Sequence, residues 1–155
     1  MSFAPACSRA GVAACRAAQL QMATGQSNGA AGTIELSVTM KNGSGTGCSM
    51  NGYPGMQLLS STGAALPTNV VRGGGPSFPV AAANGAPTSF VLAPQSSAGF
   101  YLSYEDVPVG TETSCPTSSQ AEITPPNAFD HAVVALQIAP CGGGTVHVSP
   151  VYPAG

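Results

Sequence analysis

Residues 33–40, TIELSVTM, decide the fold class of this 155-residue chain. Apolar side chains occupy every second position, namely Ile34, Leu36, Val38 and Met40, and polar residues stand between them. A two-residue period is typical of a β-strand that buries one face. Burial of these four side chains stabilises the fold by on the order of 6 to 12 kcal/mol before chain entropy is subtracted. A register shift of one residue would expose all four, so the sequence predicts a strand in a fixed register.

The rest of the chain predicts further short strands that are separated by turns. Turns are indicated by Gly- and Pro-rich segments such as residues 42–47, NGSGTG, and residues 73–76, GGGP. The alanine-rich residues 10–22 are either a helix or a lead-in to a first strand at residues 20–23. Further strands are predicted at residues 55–60, 65–71, 77–82, 88–92, 99–104, 120–124, 133–138 and 145–151. Eight or nine such strands favour an all-β fold of the Greek-key sandwich type.

Composition places the chain among single folded domains. A hydrophobic content of 43% is too high for a disordered chain, despite 20 Gly and 14 Pro. Four basic and six acidic residues are too few to bind a run of phosphates, so we expect no nucleic-acid partner. The longest weakly polar run, residues 132–140, is far shorter than the roughly 20 residues of a membrane helix. We therefore expect no transmembrane segment, a flexible N-terminal lead-in at residues 1–14 and one domain at residues 15–155.

The cysteines indicate disulfide bonds and not a metal centre. No two of them have the short spacing of metal-binding pairs, and their positions are Cys7, Cys15, Cys48, Cys115 and Cys141. Five cysteines permit fifteen arrangements of two bridges and one unpaired residue. Disulfides favour an extracellular or cell-envelope location, although residues 1–15 lack the unbroken apolar stretch of an export signal. Residues 12–15, VAAC, loosely match a lipid-attachment motif, but Arg9 and the short preceding segment argue against lipidation.

An ordered set of motifs runs through nearly the whole chain. Its clearest member is residues 48–55, CSMNGYPG. The other members are Cys15, Leu20, Gly32, Asn42, Gly63, Leu92-Ala93-Pro94, Cys115, Pro125-Pro126, Cys141-Gly142-Gly143 and Val148-Ser149-Pro150. Together they resemble an uncharacterised family of actinobacterial exported proteins and lipoproteins, domain of unknown function four-two-three-two.

The resemblance implies an immunoglobulin-like β-sandwich that is exported and braced by two disulfides. It implies that Cys15 pairs with Cys48 and that Cys115 pairs with Cys141, and it leaves Cys7 as a free or intermolecular thiol. Loops of about thirty residues closed in this way stabilise by roughly 3 to 4 kcal/mol each on the chain-entropy model. The resemblance implies no activity, and no cofactor is expected. We predict a non-catalytic secreted or envelope module with a binding or structural role, whose partner is an unknown protein or envelope component.

A serine hydrolase is the first alternative function. Residues 25–29, GQSNG, fit the letter pattern of a nucleophile elbow. Asp130 and either His131 or His147 follow Ser27 in the chain order that such enzymes use. A true elbow joins a buried strand to a helix, whereas Ser27 lies in a polar, glycine-rich segment without a helix signal after it. A loop is the favoured interpretation.

A copper protein of the cupredoxin type is the second alternative. Cupredoxins are Greek-key sandwiches, and Cys141 precedes His147 in a glycine-rich segment. A blue-copper centre needs two His, one Cys and usually an axial Met. No Met follows His147, and the resemblance assigns Cys141 to a disulfide. We expect His131 to be a loop residue and His147 to be an exposed strand residue, without a metal.

Two tyrosines are candidates for a binding surface. Tyr101 alternates with Phe100 and Leu102, so its ring points to the face opposite the presumed core, where it can anchor a partner. Tyr53 lies in a Gly-Pro turn and is expected to pack over the edge of the sandwich.

Overall fold

The computed structural model describes residues 11–154, and this part of the chain is all-β, with two short 3₁₀ turns and no α-helix. None of its helical turns is long and apolar enough to cross a membrane. Cys7 lies outside the described residues. The strands are β1 (Leu20–Ala30), β2 (Thr33–Asn42), β3 (Cys48–Met50), β4 (Gly55–Leu59), β5 (Asn69–Arg72), β6 (Phe90–Leu92), β7 (Ser97–Glu105), β8 (Gln120–Thr124), β9 (Ala132–Ala135), β10 (Thr145–Val148) and β11 (Tyr152–Pro153).

The largest sheet has the strand order β1-β2-β7-β10-β5. Its pairs are antiparallel except for β10 and β5, which are parallel. The short β11 pairs with β7 near Gly99. In β2 the side chains of Leu36, Val38 and Met40 are buried, as the alternation predicts.

Two smaller sheets, β3–β6 and β4–β8–β9, complete the fold. Leu58 and Ile123 from the second of these sheets belong to the same buried cluster as Phe100 and Leu102 of β7. One core therefore joins the sheets, as expected for a single sandwich domain. The prediction of an all-β, disulfide-braced fold is confirmed, and the arrangement is consistent with an immunoglobulin-like Greek key.

Several predicted strands are shorter in the structure, because residues 65–68, 136–138 and 149–151 belong to no strand. Larger differences, or the outcome of an open alternative, concern three other segments. Residues 77–82 are not a strand: they form an irregular segment that ends in a 3₁₀ turn at Ala81–Ala83. Pro76 and Pro79 lack the N–H donors that strand pairing requires. Residues 17–19 form a 3₁₀ turn that leads into β1, so the lead-in interpretation holds for the described residues. The three-residue β3 was not predicted, because it is too short to display a period.

Two disulfides cross-link the chain, and they are the bridges that the resemblance implies. Cys15 pairs with Cys48 and Cys115 pairs with Cys141, across sequence separations of 33 and 26 residues. Cys15 and Cys48 belong to the main core cluster. Cys115 is partly exposed. One bridge therefore lies inside the core, and the other joins the buried Cys141 to the partly exposed Cys115.

Candidate functional site

Residues 73–85 form a strap on the face of the large sheet that points away from the core. The strap begins where β5 ends, and the Gly73 N–H donates to the carbonyl oxygen of Val148 at 2.8 Å. Gly73 and Gly74 have φ values of 68° and 77°. Such values favour glycine, and they turn the chain away from its position beside β10.

The next glycine lies directly on the sheet. A Cβ atom added to Gly75 would stand 3.0 Å from Ser103 Oγ and 3.1 Å from His147 Cβ, so a larger residue would push the strap outward. The Nδ1 atom of His147 is 2.8 Å from the carbonyl oxygen of Gly73. Ser103 Oγ is buried without a hydrogen-bond partner among the described residues. The strap therefore packs closely on Ser103 and His147 of the sheet, but the buried Ser103 hydroxyl has no hydrogen-bond partner among the described residues.

An aromatic stack attaches the middle of the strap to the sheet. The Phe78 ring stacks on Tyr101 with centroids 5.5 Å apart, and Tyr101 stacks on Tyr152 with centroids 6.1 Å apart. Burial, together with the neighbouring Tyr101 side chain, raises the pKa of Tyr152 to about 12. Tyr101 thus faces away from the core, as predicted, but the strap covers part of its ring.

Asn84 closes the strap on itself. Its Oδ1 accepts a hydrogen bond from the Phe78 N–H at 2.7 Å, and its Nδ2 donates to the Phe78 carbonyl at 2.8 Å and to the Val80 carbonyl at 3.1 Å. These bonds satisfy backbone groups that have no strand partner. They hold Phe78 in position over the sheet.

A cavity of about 220 Å³ opens beside the strap. Its walls include the rings of Tyr53, Phe78, Pro76 and Pro150, and the backbone of residues 73–75. No Asp, Glu, Lys or His lines it. The cavity is therefore partly apolar and offers backbone groups for hydrogen bonding.

Arg72 immediately precedes Gly73, the first strap glycine, and it contacts Tyr53, but it is not itself among the residues that line the cavity. Its guanidinium carbon lies 5.5 Å from the centroid of the Tyr53 ring, within the range of a cation–π contact. The side chain is exposed. Within residues 11–154 no carboxylate forms an ion pair with Arg72. A positive charge without a counter-charge among the described residues therefore lies against Tyr53, one of the residues that line the cavity.

Three further grooves that the described residues form have volumes of 320, 380 and 340 Å³. They lie around Arg16 and Gln19 and beside the β1–β2 turn. None of the three is lined by an aromatic side chain. Because ligand sites combine apolar or aromatic walls with a few polar groups, the cavity beside the strap is the better candidate.

The residues of the predicted hydrolase site have other partners. The prediction of a loop at Ser27 is wrong, because Ser27 is an exposed residue of β1 that pairs with Leu36 of β2. Residues 23–30 of β1 bury neither face, so their sequence shows no strand alternation. The Asp130 carboxylate accepts hydrogen bonds from the N–H groups of Ala17 and Ala18 at 2.8 and 3.1 Å, which lower its pKa. In the described part of the chain, neither Asp130 nor a histidine hydrogen-bonds to Ser27.

The two histidines also lie apart from a catalytic arrangement. His131 Nε2 is 3.4 Å from Glu122 Oε2, whereas His147 contacts the strap. Ser103 stands opposite Glu35 on one side and His147 on the other. A catalytic triad needs the histidine between the serine and the acid, and here the serine stands between the other two.

The predicted sulfur ligand of a copper site is part of a disulfide. Glu112, Cys115 and Cys141 bring their potential ligand atoms within 4.8 Å of one another. The two cysteines are bonded to each other, so neither offers the thiolate that blue copper requires. The Glu112 carboxylate accepts hydrogen bonds from backbone N–H groups, including those of Gly142 and Gly143, and these bonds lower its pKa. This cluster therefore braces a turn.

Tyr53 is the sequence-predicted residue that reaches the cavity, and Tyr101 lies behind Phe78. Sequence reasoning missed Arg72, Phe78 and Asn84. The signal for Arg72 was its position before three glycines, a segment that was interpreted only as a turn. Phe78 was assigned to a strand, which concealed its role in the strap.

Residues 15–152 match the model of one protein family, which is described as a domain of unknown function (DUF4232). No curated protein and no solved structure matches the chain.

Proposed function

This chain belongs to the family described as a domain of unknown function (DUF4232), and from that premise we propose a non-catalytic binding module of the cell envelope or the external medium. Its binding site is the cavity beside the strap. It takes up a small ligand or a protruding group of an envelope component. The observation that carries the proposal is a cavity lined by Tyr53 and Phe78, with the guanidinium of the unpaired Arg72 lying over the Tyr53 ring.

The disulfides support the location. Two bridges connect four of the five cysteines. Disulfides persist in oxidising compartments and are rare where thiols are kept reduced. The scarcity of charged residues is also compatible with a module that recognises its ligand by shape and one anchored charge.

Fractionation of the organism that encodes the chain tests the location. We expect the native protein in the envelope or in the culture medium, with both bridges formed. A protein found mainly in the cytoplasm with reduced cysteines would contradict the proposal.

Retention on envelope material isolated from the same organism tests the binding role. We expect the wild-type protein to be retained and both Arg72→Ala and Tyr53→Ala to be released. Lys41→Ala is the matched control, because Lys41 is an exposed cation on β2 outside the cavity. Equal retention of all four proteins would remove the cavity from the function.

Catalysis by Ser27 has a separate test. We expect the wild-type protein and Ser27→Ala to hydrolyse an activated ester at the same background rate. Turnover that disappears in Ser27→Ala would establish the hydrolase instead.

A further inference from the structure

We propose that the cavity beside the strap binds a carboxylate carried on a small ring-shaped body, and that Arg72 is the partner of its negative charge. The proposal rests on the proposed function, because it names the ligand class of the same site. Three features of the site carry it, namely the state of Arg72, the backbone donors of the strap and the size of the cavity.

Arg72 is prepared for an anion. Its guanidinium lies over the Tyr53 ring, which orders the side chain before a ligand arrives. Ordering in advance reduces the entropy that binding must remove. A guanidinium presents planar donors that match a carboxylate in a bidentate pair. Because no carboxylate of the described residues pairs with Arg72, these donors are available to a ligand.

The strap also contains backbone donors at the cavity. The N–H of Gly73 is used by Val148. The N–H groups of Gly74 and Gly75 donate to no protein acceptor within residues 11–154, and both glycines line the cavity. Hydrogen bonds from backbone amides to an ionised oxygen are stronger than those to a neutral oxygen. No acidic side chain lines the cavity to repel such a ligand.

The volume restricts the body that carries the carboxylate. Sites for drug-sized ligands span about 300 to 1,000 Å³, whereas this cavity has about 220 Å³. It therefore accommodates one ring, either an aromatic side chain or a single sugar. The half-buried Tyr53 and the exposed Pro76 supply apolar contact for such a ring.

The charge of the site favours a single negative charge on the ligand. Arg72 is the one cation that contacts the Tyr53 wall among the described residues, and the chain has only four basic residues in total. A phosphate monoester carries up to two charges at neutral pH, and phosphate sites commonly use several basic groups. One arginine with two amides suits a carboxylate better.

Two matched pairs of probes test this proposal on the full chain. N-acetyl-phenylalanine is compared with its neutral amide, and glucuronate is compared with methyl glucoside. Binding is followed by NMR titration of the isotope-labelled protein, with the amide signals of Gly74 and Gly75 as the local readout. We expect at least one acid to bind about tenfold more tightly than its neutral counterpart. Preference within the first pair indicates an acyl amino acid as the source of the carboxylate, and preference within the second indicates an acidic sugar.

Two charge-removing variants show whether Arg72 is responsible. Arg72→Gln should reduce the ratio between acid and neutral probe to about one, whereas Lys41→Gln, which removes the same charge elsewhere, should leave it unchanged. Equal affinity for acid and neutral probe in both pairs would overturn the proposal, and so would a preference that survives in Arg72→Gln. If the acids are not preferred while Tyr53→Ala still releases the protein from envelope material, the binding role stands and only the carboxylate assignment fails.

Discussion

Gly144 lies where the added methyl group of an alanine would clash with the backbone of another segment. Its φ is +81°, and an added Cβ would collide with the Pro67 carbonyl group, lying 2.7 Å from the carbonyl carbon. Gly63 has a similar φ of +85°, but no atom lies within 4 Å of its added Cβ. We expect Gly63→Ala to cost roughly 1 to 2 kcal/mol from backbone strain alone. Gly144→Ala should cost at least about 2 kcal/mol more, because the Pro67 segment must also move.

Urea unfolding of the two variants measures this difference. Equal losses of stability would mean that the chain between β4 and β5 moves aside without cost.

Phe78 and Phe129 form a second matched pair at the scale of single residues. The exposed fraction of the side chain is 7% for Phe78 and 103% for Phe129. Phe78→Ala should lower the free energy of unfolding by about 2 to 4 kcal/mol, since it removes a buried ring from the strap. Phe129→Ala should change it by less than about 0.5 kcal/mol. Denaturant unfolding checks both values, and a small effect at Phe78 would indicate that the strap is not packed on the sheet.

Glu112 links stability to pH. Hydrogen bonds from the backbone N–H groups of Val109, Gly142 and Gly143 lower its pKa. The ionised form is therefore favoured in the folded state, and its contribution is present above the ordinary carboxyl pKa and is lost as pH falls through the lowered value. We expect Glu112→Gln to be less stable than wild type at neutral pH. The difference in stability between Glu112→Gln and wild type should become smaller as pH falls below about 4. Thermal unfolding of both proteins at neutral pH and below about pH 4 measures it. A deficit that is independent of pH would contradict this account.

At the scale of elements, regular alternation in sequence was a reliable guide. β2 could be predicted because it buries one face over many residues, so its side chains repeat the same signal. β7 could be predicted because Phe100, Leu102 and Tyr104 alternate with Tyr101 and Ser103, although the structure also buries Ser103 on the other face. The strap could not, because residues 77–82 resemble a strand in their apolar content. Their conformation is decided by the stacking of Phe78 on Tyr101 and by the hydrogen bonds of Asn84. These contacts join residues that are distant in sequence or lie outside the predicted strand, so a local pattern does not show them. Two prolines, Pro76 and Pro79, were the local evidence against a strand.

The strap itself can be tested through a tyrosine that it covers. Tyr152 clusters with Phe78 and Ala83, and burial raises its pKa to about 12. Asn84→Ala removes the bonds that hold the strap, so the Tyr152 pKa should fall toward the ordinary value of about 10. The raised pKa favours protonated Tyr152 in the folded state, so wild type loses stability as pH rises from about 10 to about 12. This loss of stability should be smaller in Asn84→Ala.

Ultraviolet titration of tyrosinate measures this pKa, and Tyr152→Phe identifies the signal. Asn127→Ala is the control, since Asn127 donates to the Asn51 carbonyl on a different loop. An unchanged Tyr152 pKa in Asn84→Ala would mean that Asn84 does not hold the strap down.

At the scale of the whole molecule, the candidate site depends on the fold to bring distant segments together. Tyr53 precedes β4, Arg72 ends β5, Phe78 belongs to the strap and Pro150 follows β10. Their neighbours in sequence carry no common pattern. The pairing of β5 with β10 and the hydrogen bond from the Val151 N–H to the Gly52 carbonyl bring these segments together. The sequence could therefore predict the class of fold and one of these residues, Tyr53, but not the cavity.

The two disulfides make different contributions to this molecule. Their separations of 33 and 26 residues are so similar that the chain-entropy model assigns each roughly 3.5 kcal/mol. The bridges differ in their surroundings: Cys15 and Cys48 are 0% and 1% exposed within the main core cluster. Cys141 is 3% exposed but lies outside that cluster, and Cys115 is partly exposed. Replacing Cys15 and Cys48 with Ala removes a cross-link and also leaves a void that the core cannot fill completely. Replacing Cys115 and Cys141 with Ala removes mainly the cross-link. We expect the Cys15/Cys48 double variant to lose at least about 1 kcal/mol more free energy of unfolding than the Cys115/Cys141 double variant, as measured by urea unfolding. The reverse order would show that the Cys115–Cys141 bridge, next to the turn that Glu112 caps, contributes more to stability.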